Sequence, residues 1–133
     1  MGLDNGIILK QKEKIEDPFP PYIKIDLFDQ TDDAIEYEIC YWRKCPGLRA
    51  KILSVIPPGE DDYAAEYELD TKTLEKIRDV IYEQLKNPED WWSPIWGFEE
   101  IVHHLARDIV NITWLIDHIS NNTKSVAYFY DSY

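Results

Sequence analysis

FEEIVHHLARDIVNITWLIDHI, residues 98–119, decides the fold: Phe98, Val102, Leu105, Ile109, Ile112, Ile116 and Ile119 recur at alternating steps of four and three. That rhythm matches the turn of an α-helix and lays one apolar stripe along it, and a stripe of that kind must be buried. Ser93 or Gly97 can cap the start, while Glu99 and Glu100 put negative charge in the first turn, where the helix dipole favours it. Asn121, Asn122 and Thr123 supply turn chemistry at the end.

Upstream, Asp70 is placed to cap a second helix reaching to about Lys86, with Leu74, Ile77, Ile81 and Leu85 facing inward and Asn87-Pro88 as its stop. Each helix has a single stripe and about ten residues join them, so an antiparallel pair is expected. The joining stretch holds Trp91, Trp92 and Trp96.

The rest of the chain alternates with period two, the signature of half-buried strands. Ile23, Ile25 and Leu27 alternate with Lys24 and Asp26. Ile35, Tyr37, Ile39 and Tyr41 alternate with Glu36, Glu38, Cys40 and Trp42. Tyr63, Ala65, Tyr67 and Leu69 make a strand whose other face carries Glu66 and Glu68, and Val126, Tyr128 and Tyr130 alternate with Ala127 and Phe129. Ile7, Ile8 and Leu9 read as a short strand after a turn or bulge at Asp4-Asn5-Gly6. Pro46 suits the first position of a short helix bearing Leu48, Ile52, Leu53 and Ile56, which Pro57-Pro58-Gly59 stops. The order β-β-β-α-β-α-α-β predicts one α+β domain over residues 1–133: a single largely antiparallel sheet with the helices, the antiparallel pair among them, packed on one face.

A chain of 133 residues can bury a core without staples. Five Trp and nine Tyr are many for this length, and they suit a core of sheet and helices or, in part, a partner-facing surface. The formal charge of −12 disfavours direct nucleic-acid binding and suits solubility, attraction of a basic protein face, or imitation of a phosphate backbone. No apolar run is long enough to span a bilayer and the first residues lack a signal-peptide core, so a cytoplasmic protein of the host cell is expected, with Cys40 and Cys45 as free thiols.

Several segments carry a resemblance. The opening MGLD, the strand EYEICYWRK at residues 36–44 and the terminal VAYFYDSY resemble a family of small uncharacterised proteins of tailed phages and prophages, which begin MGLD and contain a YWRK-type segment. In that family the segment usually continues into a polar stretch with Asn and His, whereas here Cys45-Pro46-Gly47 follows. The resemblance implies a phage context and a single domain, with no activity attached.

Three groups of residues could carry function. On the long helix, Glu100, His104 and Asp108 fall four apart along one polar side, a spacing that can hold a metal, although the bland reading is a row of exposed pairs. A metal-dependent enzyme is the alternative reading built on them. Glu36, Glu38, Glu66 and Glu68 point away from the Tyr and Ile of their strands, and converge if those strands are neighbours. On the back of the long helix, Arg107 and Trp114 lie on the side away from the stripe, and with Trp91 and Trp92 they form a second candidate surface. No glycine-rich phosphate loop and no cofactor motif is present. The expectation is a non-enzymatic accessory protein that binds a host or phage protein through the acidic sheet face, which suits a basic partner, or through the Trp-rich surface, without cofactor, with an inhibitor or DNA mimic as special cases.

Overall fold

The computed structural model describes residues 4–15, 19, 23, 25–43, 45–56, 66–87, 98–122 and 124–132. Its elements run β1 (Asp4–Gln11), β2 (Asp26–Gln30), β3 (Ile35–Arg43), α1 (Pro46–Val55), β4 (Glu66–Leu69), α2 (Thr71–Lys86), α3 (Phe98–Asn121) and β5 (Val126–Ser132). The five strands form one antiparallel sheet in the order β2-β3-β1-β5-β4. The fold is α+β. None of the described helices is long and apolar enough to cross a membrane.

The helices cover one face of the sheet. Ile7, Leu9, Tyr37, Ala127, Phe129 and Leu69 from the strands share one core with Leu48 and Ile52 of α1, Leu74, Ile77 and Ile81 of α2, and Leu105, Ile112 and Leu115 of α3. Asp70 caps α2 by accepting from the Thr73 amide at 2.7 Å, which also holds its carboxyl below the usual range. Helix α2 leaves the end of the sheet where Leu69 faces Ala127, and α3 returns to that same end, so the pair is antiparallel. Arg78 donates to Thr113 across it.

Several expectations shift. Asp4, Asn5 and Gly6 belong to β1, which runs straight through the expected turn because it is the central strand and pairs on both sides. The turn expected over Asp29 to Asp33 starts later, because strand β2 begins at Asp26 and includes Asp29; it falls at Thr31–Ala34, where the Thr31 amide and hydroxyl both bond to the Ala34 carbonyl. The segment 63–65, expected to open β4, lies outside the described residues.

Strand β3 departs most from strict alternation. Ile7 pairs with Cys40 and Ile8 with Glu38, so Ile39 is an extra residue, a β-bulge. The bulge inverts the alternation that follows it. Ile35, Tyr37 and Ile39 face the helices as expected, but so do Cys40 and Trp42, both buried, while Tyr41 turns to the opposite face. A second bulge makes Phe28 the extra residue of β2, with Asp26 opposite Glu38 and Asp29 opposite Glu36.

The buried stripe of α3 is Ile101, Leu105, Asp108, Ile112 and Leu115, with Ile109 beside it. It is rotated slightly from the expected one, leaving Val102 and Ile116 half-buried at its border. Asp108, expected in an exposed row, is 2% exposed.

Candidate functional site

The sheet face away from the helices is acidic. Its residues follow from register. One row across the sheet runs Asp26, Glu38, Ile8, Tyr128, Glu68, and the next runs Tyr41, Gly6, Tyr130, Glu66. A third places Glu36 between Asp29 and Lys10. Strands β3 and β4 are separated by β1 and β5, so Glu36 and Glu38 do not converge with Glu66 and Glu68. The two pairs flank a centre of Ile8, Tyr128 and Tyr130. Asp4, Asp26 and Asp29 join them, and sequence reading missed these because which strands are neighbours, and where β2 begins, were not legible.

Side chains on this face are held in place. The Tyr128 hydroxyl donates to Glu36 and the Tyr41 hydroxyl donates to Asp4 Oδ1 at 3.1 Å. Burial, and then the carboxylate of Asp26, raise the pKa of Glu38. Burial and the charges of Glu38, Tyr41 and Asp4 push the Tyr130 phenol well above its ordinary range. Gly6 is required here: a Cβ would overlap the Cys40 carbonyl oxygen and come within 2.9 Å of the Tyr130 ring. Phe28 reaches across to stack on Tyr130, with centroids 6.0 Å apart and planes at 24°.

At the end of β2, α3 takes over as the cover of β3. Beyond Glu38, β3 has no partner on that side among the described residues, and its carbonyls are met by helix side chains instead. His104 donates from Nε2 to the Tyr41 carbonyl at 2.9 Å and Asn111 donates to the Ile39 carbonyl at 3.0 Å. Between them in the helix, Asp108 accepts from the Trp42 indole at 2.8 Å and from the Cys40 thiol. The positions 104, 108 and 111 form one helical edge, and the bulge is what brings Cys40 and Trp42 to it.

This network is electrically quiet. Burial pushes the Asp108 carboxyl up to about 8 and pushes His104 down to about 4, with Arg107 adding to the second shift. Near neutral pH both are uncharged, so the 3.4 Å between His104 Nε2 and Asp108 Oδ2 is a contact of neutral groups. Burial and the neighbouring Asp108 raise the Cys40 thiol far above the range where a thiolate forms, which makes it inert as a nucleophile. A cavity of about 140 Å³ adjoins the network, between Asp26, Glu38, Arg107 and Asp108.

The remaining candidates are scattered. Glu100 is exposed while His104 and Asp108 turn to β3, so the three are not brought together, and among the described residues no three His, Cys, Asp or Glu side chains are grouped to hold a metal ion. Arg107 is exposed. Trp114 is half-buried, stacked on His118 at 4.8 Å and met edge-on by Phe19 at 5.1 Å. Trp91 and Trp92 lie outside the described residues. No family model, curated protein or solved structure matches the chain.

Proposed function

We propose that this chain is a non-enzymatic binding module of phage or prophage type, and that its open sheet face receives a basic surface of a host or phage protein. One observation carries the reading: Asp4, Asp26, Asp29, Glu36, Glu38, Glu66 and Glu68 share that face, with only Lys10 and Arg43 from the strands to offset them among the described residues. Carboxylates placed side by side across a sheet repel, a cost that a basic partner would relieve. A DNA-mimicking inhibitor is a special case of the same chemistry, in which the partner is a nucleic-acid-binding protein.

The test replaces Glu36, Glu38, Glu66 and Glu68 with Gln. Wild type serves to capture the partner from host lysate, and the on-rates of both proteins for it are then measured at two salt concentrations. Slower association with a flatter salt dependence is expected, because surface charges act chiefly on encounter. Identical rates and slopes would overturn the reading.

A further inference from the structure

The acidic face carries an aromatic platform that charge repulsion alone does not require. The bulge in β2 places both Phe28 and Asp29 on the open face, and Phe28 lies over the sheet to meet Tyr130 from the far side of β3 and β1. The Tyr130 ring rests over bare Gly6, and Tyr41 stands on the other side of that glycine. Phe28 is 52% exposed, although an aromatic ring gains nothing from water. Beside the platform stand Glu38 and, in register with Tyr130, Glu66. Electron-rich ring faces rimmed by carboxylates suit a flat, weakly hydrated cation with several donors.

Building on the acidic-face reading, we infer that the basic partner presents an arginine whose guanidinium lies on the Phe28–Tyr130 stack, with its N–H fork turned to Glu38. Lysine matches the charge but not the shape. Its ammonium is compact and strongly hydrated, so it gives up more to leave water for a ring face.

Hepta-arginine and hepta-lysine peptides, titrated at one low salt concentration, separate the two. Wild type should bind hepta-arginine about two- to five-fold more tightly than hepta-lysine, the range that exposed cation–π contacts provide. Phe28→Ala, a change at an exposed ring whose folding is checked by circular dichroism, should bring the two peptides to parity with hepta-lysine little altered. Phe28→Trp should restore the preference. Parity on wild type, or a preference that survives Phe28→Ala, would overturn the platform while leaving the acidic face standing, provided both peptides lose affinity for the four-Gln variant. If neither peptide binds wild type, or both bind the Gln variant equally well, the acidic-face reading itself fails and the platform with it.

Discussion

The Trp42 indole donates to Asp108 Oδ2 at 2.8 Å, joining residues 66 apart in the chain and fixing α3 against β3. Both groups are fully buried, and the bond replaces what each would otherwise make with water. It holds a carboxyl that stays protonated into the neutral range, and this makes stability depend on pH.

An Asp raised to about 8 in the folded state and near 3.9 when unfolded keeps a proton that the unfolded chain has lost, so stability falls as pH rises through that interval and is flat above it. His104, lowered to about 4, acts in the opposite sense. Below about 6.5 the unfolded imidazole is protonated and the folded one is not, so its contribution rises with pH and offsets Asp108 there. Wild type should therefore lose about 1 to 2 kcal/mol between about pH 6.5 and 8. Asp108→Asn, which keeps an acceptor for Trp42, should abolish that loss. Chemical denaturation of both proteins at half-unit steps checks this, and an unchanged slope in the variant would place the titration elsewhere.

Gly6→Ala should destabilise by about 1 to 3 kcal/mol, because the methyl would meet the Cys40 carbonyl on one side and the Tyr130 ring on the other. The carbonyl belongs to the bulge and cannot move without disturbing it. A thermal melt equal to wild type would show that neither the Cys40 carbonyl nor the Tyr130 ring crowds the glycine.

Two neighbouring glutamates should respond in opposite directions. Glu36→Gln weakens the charge-assisted bond from the Tyr128 hydroxyl and should cost about 1 kcal/mol. Glu38→Gln relieves repulsion by Asp26 and should add a few tenths of a kcal/mol. Urea midpoints for the two single variants measure both, and shifts of the same sign would contradict the assigned partners.

Arg49 of α1 grips Asp131 of β5 with two hydrogen bonds, from Nε at 2.7 Å and from Nη2 at 2.6 Å, and the Asp131 side chain is 6% exposed. Arg49→Ala leaves that carboxylate buried without its cation and should cost about 3 kcal/mol or more. Adding Asp131→Asn should recover part of the loss. Additive losses in the double variant would refute the pairing.

By itself the sequence determined the kind and order of the elements. Period two and period 3.6 are local properties, so Leu74, Ile77 and Ile81 of α2, Leu105 and Ile112 of α3 and the outward Glu36, Glu38, Glu66 and Glu68 could be read from spacing alone. The register of α3 is also compatible with local spacing, since Ile101, Leu105, Ile112 and Leu115 fit the same rhythm as Phe98, Val102 and Ile109 and bracket Asp108. Tertiary structure decided what depends on strand neighbours. Whether two glutamate pairs converge is set by the order β2-β3-β1-β5-β4, which no local pattern encodes. The bulges are of the same kind: an extra residue exists only relative to a partner strand, and it alone turns Cys40 and Trp42 to the core and sets Phe28 and Asp29 side by side on the open face. The acidity of the protein was therefore legible in its composition, but the aromatic platform within it arises only when β2, β1 and β5 are laid in one sheet.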